Sequence, residues 1–136
     1  MHDVFKKKKI KPMVKIMVVD DELFVRTRMK NFLERSGFTV ILAENGNQAY
    51  RYYERERPDV VFCDIMMPGM DGLQALRKIR EIDPDANVVM ISAMGGQQAT
   101  MVQALSAGAR DIIPKPYKED KVLELIKKYT EKESSE

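Results

Sequence analysis

The sequence is long enough for one domain and no more. It has 136 residues, of which 44% are hydrophobic and 32% are charged, so the chain can bury a core and has the composition of an ordinary soluble protein. No apolar segment is long enough to span a bilayer, and the first dozen residues lack the apolar stretch of a secretory signal. The single cysteine, Cys63, excludes an internal disulfide and a cysteine metal cluster. We therefore expect a cytoplasmic protein.

The charge is unevenly distributed along the chain. The net charge is +2, but residues 1–12 hold five lysines against one aspartate, a net charge of +4 that leaves −2 on the rest. The remainder has no basic patch interleaved with aromatics, so no direct binding of nucleic acid is expected. We predict a flexible basic N-terminal tail over 1–12, one domain over 13–130 and a flexible C-terminal tail over 131–136.

Five short apolar runs alternate with amphipathic segments along the chain. The runs predict strands over residues 14–19, 39–43, 59–63, 87–91 and 111–114. The amphipathic segments predict helices over about 22–36, 47–56, 73–82, 97–106 and 119–129. This alternation predicts an α/β fold, a mostly parallel sheet with helices on both faces. Pro114 lacks a backbone N–H at the end of the fifth strand, which predicts an edge position for that strand.

Polar side chains stand at the ends of four predicted strands. Asp20 and Asp21 end the first strand, Asp64 the third, Ser92 the fourth and Lys115 the fifth. Each has an ordinary structural explanation, as a helix cap, a turn residue or a solvated lysine. Because the carboxyl ends of parallel strands lie at one edge of a sheet, four such ends together favour a single functional pocket.

Three carboxylates, a hydroxyl and an ammonium in one pocket are typical of phosphoryl transfer. Adjacent carboxylates repel one another, and a hard divalent cation relieves that repulsion; Mg²⁺ is expected, with Mn²⁺ as a substitute. The cation and Lys115 can offset phosphate charge, and Ser92 can donate a hydrogen bond. Asp64 is the candidate nucleophile, since an aspartate can form an acyl phosphate.

From about Val14 to Tyr129 the chain resembles the receiver domain of two-component response regulators, and among these the single-domain chemotaxis-type regulators. The order and spacing of the motifs carry the resemblance. They are VVDDE at 18–22, DIMMPGMDG at 64–72, SAMG at 92–95, and Gly108–Ala109 followed by Lys115–Pro116.

The resemblance implies a flavodoxin-like, doubly wound (βα)5 sandwich of three layers with strand order 2-1-3-4-5. It implies that Asp64 accepts a phosphoryl group from a phosphohistidine on a sensor histidine kinase or a phosphotransfer protein. Asp21, Asp64 and the backbone carbonyl of Met66 would hold Mg²⁺, with Asp20 acting through water. The resemblance also implies that the protein is not an enzyme. Its reactions would be limited to self-phosphorylation and slow self-dephosphorylation.

The remaining family roles concern the phosphoryl group and the switch. Ser92, Ala93, Lys115 and Met66 would contact the phosphoryl oxygens, and the Lys115–Pro116 peptide would be cis. Phosphorylation would draw Ser92 inward and alter the face formed by helix four, strand five and helix five, where a downstream protein would bind.

Two departures from the family pattern predict differences in behaviour. Ile112 stands where the family often has a switching aromatic residue, so no ring is available to rotate. Met66 and Met94 stand where polar residues could orient a hydrolytic water, which predicts slow self-dephosphorylation.

Three other interpretations remain open at this stage. The chain could be the receiver part of a longer regulator that has an output domain. An aspartyl-phosphate hydrolase would also use a strand-end aspartate. The motif typical of that class has a second acid two positions after the nucleophile, where this chain has Met66. A pseudo-receiver would have lost one of the five pocket residues, and none is missing.

Overall fold

The computed structural model describes residues 8–10, 13–67, 71–93 and 98–133, and a sheet of five parallel strands forms its centre. These strands are β1 (Lys15–Val19), β2 (Thr39–Ala43), β3 (Val60–Asp64), β4 (Val88–Ser92) and β5 (Asp111–Pro114). The helices found in the described residues are α1 (Leu23–Arg35), α2 (Gly46–Glu56), α3 (Gly72–Ile82), α4 (Gln98–Ser106) and α5 (Glu119–Thr130).

The strand order is β2-β1-β3-β4-β5, and every neighbouring pair is parallel. This is the predicted 2-1-3-4-5 order, with β5 at one edge, where Pro114 needs no ladder donor. The central strand β3 is buried at all five positions, as expected for a strand covered by helices on both faces. The predicted doubly wound α/β fold is confirmed.

Alternate residues of the strands supply two apolar cores, one on each face of the sheet. On one face Met17, Val61 and Met90 pack with residues of α2, α3 and α4. On the other face Ile16, Phe62 and Val89 pack with residues of α1 and α5. The period of two in each strand therefore produces a three-layer sandwich, because both sets of side chains are apolar.

The start of α3 packs directly on the end of β3. A Cβ atom added at Gly72 would contact the backbone carbonyl of Asp64 and lie 2.7 Å from the Cα of Ile65. Only a residue without a side chain allows this approach. The amide of Gly72 donates a hydrogen bond to the carbonyl of Ile65 (2.9 Å), so α3 is anchored beside the predicted acceptor.

Two helices depart from a simple apolar stripe. In α1 Met29, Phe32 and Leu33 are buried, and the charged residue Arg26 is buried with them. In α4 the apolar residues Val102 and Leu105 are 54% and 55% exposed. Ala104 is the buried residue of α4.

Two short segments near the ends of the chain pair with each other, a feature that the sequence did not predict. Lys8–Ile10 and Glu131–Glu133 pair as short antiparallel strands, with Lys8 opposite Glu133 and Ile10 opposite Glu131. Residues 1–7, 11–12 and 134–136 lie outside the described part of the chain. Among the helices that the structure describes, none has the length and apolar character needed to cross a membrane.

Candidate functional site

The predicted pocket residues meet at the carboxyl edge of the sheet. Asp20 follows β1, Asp64 and Ser92 end β3 and β4, and Lys115 follows β5. Asp20, Asp64 and Ser92 are 2%, 6% and 5% exposed, although burial of an acid is costly without partners. A hydrogen bond of 2.8 Å from the Lys115 amide to the Ser92 carbonyl continues the β4–β5 pairing into the pocket.

The three aspartates converge as the sequence predicts. One carboxylate oxygen from each of Asp20, Asp21 and Asp64 lies within 4.8 Å of the others, and Asp21 is the exposed member. An all-oxygen set with three negative charges suits a hard divalent cation, which would relieve their mutual repulsion. These three residues could therefore hold a metal ion.

Lys115 reaches into the same cluster. Its Nζ lies 3.0 Å from Asp64 Oδ2 and 3.8 Å from Asp20 Oδ2. Asp64 and Lys115 are 51 positions apart in the chain, so the parallel sheet brings them together. The Lys115–Pro116 peptide is cis, as predicted.

The acceptor candidate Asp64 is held at both carboxylate oxygens. Oδ2 accepts a hydrogen bond from Lys115, and Oδ1 accepts one of 3.1 Å from the amide of Met66. The Met66 side chain is 70% exposed, and Ala93, the residue after Ser92, is also exposed. Met94 lies outside the described residues. Ile112 is half-buried in β5 and packs against the apolar core.

Burial and neighbouring charge act on the protonation of the pocket. Burial is the main cause that raises the pKa of Asp20, and the negative charges of Asp64 and Asp21 raise it further. The hydrogen bond from the Glu22 amide and the positive charge of Lys115 lower it, but the net pKa is raised. Burial lowers the pKa of Lys115, but the hydrogen bond and charge of Asp64 outweigh it, so this pKa is raised. Lys115 therefore stays cationic beside Asp64.

Sequence reasoning missed one residue that supports the pocket. Arg26 is 8% exposed, and its Nη1 donates a 2.7 Å hydrogen bond to the backbone carbonyl of Asp20. The signal was available, because Arg26 lies three residues before Met29 and seven before Leu33, on the buried side of α1. A charged residue on an apolar stripe is itself an indication of a buried polar contact.

A groove of about 450 Å³ opens beside the pocket. Its walls come from α1 and from the segment after β5, and Lys115 belongs to both the groove and the pocket. Its lining includes Val25, Met29, Phe32 and Tyr117 together with several charged residues. Burial, followed by the nearby charge of Asp20, raises the pKa of Tyr117.

Comparison with known proteins identifies the family. The response regulator receiver domain matches residues 16–127. The chain belongs to this family. Chemotaxis protein CheY of Listeria monocytogenes is 49% identical over 117 residues, which are 85% of this chain and 98% of the relative. CheY of Bacillus subtilis is 48% identical over 84% of this chain and 95% of the relative.

Solved structures of receivers share the fold. A receiver domain protein of Clostridium thermocellum superposes with a TM-score of 0.82 at 28% identity, covering 87% of this chain and 94% of the other. CheY in a CheX–CheY–BeF₃–Mg²⁺ complex from Borrelia burgdorferi gives a TM-score of 0.77 at 34% identity, covering 85% and 87%. The chain is thus a phospho-accepting response regulator of the chemotaxis type, a signalling protein, and the predicted family and function are confirmed.

Proposed function

We propose that Asp64 is the phosphoacceptor and that the phosphoryl group comes from a phosphohistidine on a sensor histidine kinase or a phosphotransfer protein. The observation that carries this proposal is the placement of Lys115 Nζ 3.0 Å from Asp64 Oδ2, inside a cluster of three aspartates. A carboxylate oxygen of Asp64 would form the new bond to phosphorus while the bond from phosphorus to the histidine nitrogen breaks. The acyl phosphate stays on Asp64, and the imidazole leaves with the electron pair of the broken bond.

The donor set supports Mg²⁺ as the resident cation, with Mn²⁺ as a substitute. Asp21, Asp64 and the backbone carbonyl of Met66 would bind it directly, and Asp20 would bind through water. When bound, the cation offsets the negative charge of the acceptor and of the incoming phosphoryl oxygens. Asp20 and Asp64 are buried acids that gain most from such a charge.

The remaining pocket groups would orient the phosphoryl oxygens. Lys115 supplies an ammonium, Ser92 a hydroxyl, and Ala93 and Met66 their backbone N–H groups. The Met66 amide already donates to an Asp64 oxygen, and the Lys115 ammonium already contacts the other. Both donors therefore contact Asp64 before any phosphate arrives, which reduces the reorganisation needed for transfer.

The output would follow from the new charge on Asp64. It offers the Ser92 hydroxyl an acceptor and so biases the segment from Ala93 into α4. The face formed by α4, β5 and α5 would then bind a downstream protein target more tightly. At Ile112 the switch has no ring to rotate, so it must work through backbone and packing changes.

The direct test is phosphorylation by acetyl phosphate with Mg²⁺, followed by intact mass. One added phosphoryl group is expected in the wild-type protein, and none in Asp64→Asn or with a chelator. Asp71→Asn is the matched control, because it neutralises another aspartate on the same connection while keeping a residue that can cap α3. Full phosphoryl uptake by Asp64→Asn would rule out the proposed acceptor.

The exposed Met66 side chain supports slow self-dephosphorylation, because a thioether cannot orient an attacking water as an amide can. Met66→Asn is expected to speed the decay of the phosphorylated protein at least severalfold. Met13→Asn is the control. Met13 is similarly exposed (66%) but precedes β1, at the amino ends of the strands and therefore opposite the pocket. An unchanged decay rate in Met66→Asn would contradict this role.

A further inference from the structure

Arg26 is a buried cation in a helix that otherwise buries apolar residues. It is 8% exposed, and the other buried polar or charged residues of the described chain are Asp20, Asp64 and Ser92. All three belong to the pocket. Burying a guanidinium is unfavourable unless it makes strong hydrogen bonds. The position of Arg26 therefore calls for a specific partner.

That partner is the peptide between Asp20 and Asp21. Arg26 Nη1 donates a buried hydrogen bond of 2.7 Å to the backbone carbonyl of Asp20. The carbonyl belongs to the peptide that links Asp20 to Asp21, so its direction sets where the Asp21 backbone begins. A guanidinium is a rigid planar donor, which makes it well suited to holding one carbonyl in one direction.

Other contacts of the turn involve its amides and the Asp20 carboxylate. The Asp20 amide donates to the carbonyl of Ala43 (3.1 Å), and Asp20 Oδ1 accepts from the Glu22 amide (2.9 Å). The N-cap of α1, Glu22, makes no side-chain cap hydrogen bond. The Arg26 guanidinium adds a side-chain contact from α1 to the Asp20 carbonyl itself.

We propose that Arg26 is a positioning residue for the metal-binding carboxylates: by holding the Asp20–Asp21 peptide, its guanidinium aims both side chains at Asp64. This inference rests on the proposed function, because it assumes that these carboxylates bind Mg²⁺. Arg26 itself contacts neither the cation nor the phosphoryl group. Its effect is on where the ligands lie before the metal binds.

The test measures Mg²⁺ affinity of the full, metal-free chain by isothermal titration calorimetry. Arg26→Met keeps a long apolar stem and removes the donors, and it is expected to weaken Mg²⁺ binding about 10- to 100-fold, the usual effect of losing a group that orients metal ligands. Arg26→Lys is expected to bind with intermediate affinity, since an ammonium is a donor without the planar geometry. Arg35→Met, at an exposed position in the last turn of the same helix, is expected to match the wild type.

A second readout separates positioning from general stability. Hydrogen exchange at the Glu22 amide, which bonds to Asp20 Oδ1, is expected to quicken in Arg26→Met without Mg²⁺ while the amides of β3 keep wild-type rates. Wild-type Mg²⁺ affinity in Arg26→Met would overturn the inference, whether or not the melting temperature falls. If Arg26→Met does not fold, Arg26→Lys decides, and wild-type affinity in that variant overturns it. A wild-type chain that binds no Mg²⁺ would instead refute the proposed metal site, and this inference with it.

Discussion

The two sides of the pocket differ in charge and in how firmly their helices are held. On one side β1 and β3 lead into Asp20, Asp21 and Asp64, and α3 follows β3. On the other side β4 ends in the neutral Ser92, and α4 is the next helix. The first side is called the acceptor side and the second the response side.

The acceptor side is anchored by packing and by a helix cap. In α3 Leu73, Leu76 and Ile79 are buried, and Asp71 and Gln74 form a capping box. In α4 the large side chains Val102 and Leu105 are mostly exposed, and Ala104 is the buried residue. Because buried apolar surface is the main source of stability, α4 is held by less free energy than α3. In the proposed function, a phosphorylated Asp64 that stays in place would therefore act on a helix that is easier to move.

The largest expected effect is a difference in the free energy of unfolding between truncation of a leucine in α3 and truncation of one in α4. Leu76→Ala in α3, where the side chain is fully buried, should lower the free energy of unfolding by about 2–5 kcal/mol through lost burial and a cavity. Leu105→Ala in α4, which is 55% exposed, should change it by no more than about 0.5 kcal/mol. Urea denaturation measures both. Equal losses in the two variants would break the comparison.

A smaller effect is expected at the cap of α3. Asp71 accepts a 2.9 Å hydrogen bond from the Gln74 amide, so Asp71→Ala should cost about 1 kcal/mol. Asp85→Ala is the control, because Asp85 is an exposed acid beyond the end of the same helix. Urea denaturation that finds no difference between the two variants would show that the capping box does not anchor the acceptor side.

The charge difference between the sides predicts a pH dependence. Burial is the main reason that the folded pKa of Asp20 lies above its ordinary value of 3.8. The native state therefore holds this proton more tightly than the unfolded state, and stability is lost as the pH rises through the raised pKa. In metal-free protein Asp20→Asn should raise the free energy of unfolding at neutral pH.

The same gain should vanish below the ordinary pKa of 3.8, where Asp20 is protonated in both states. Urea denaturation at neutral pH and at about pH 3 tests this linkage. Ser92→Ala on the response side is the control, and its difference from wild type should not depend on pH. A gain in Asp20→Asn that persists in acid would point to packing instead of charge.

The smallest expected effect is a change in dynamics. Phosphorylation with acetyl phosphate and Mg²⁺ should alter amide hydrogen exchange in α4 several-fold and leave α3 at its unmodified rates. Asp64→Asn under the same conditions should show neither change. Changes in amide protection of equal size in α3 and α4 would mean that phosphorylation affects the two sides equally.

Local patterns were enough for the elements and for the composition of the pocket. Apolar runs of strand length, the amphipathic segments between them and Pro114 at an edge strand were all readable in the chain. The side chains at strand ends could be assigned to one pocket, since parallel strands share an edge. Periodicity and turn residues act over a few positions, which is why a sequence alone carries them.

Other features depend on contacts between distant parts of the chain. The 3.0 Å approach of Lys115 to Asp64, the close packing of Gly72 on β3 and the hydrogen bond from Arg26 to Asp20 all depend on how elements pack. The pairing of Lys8–Ile10 with Glu131–Glu133 joins the two ends of the domain and has no local signal. The sequence by itself determined which groups enter the pocket, whereas the tertiary structure decided their distances and which helix beside them is firmly held, because burial and register are properties of the assembled sheet.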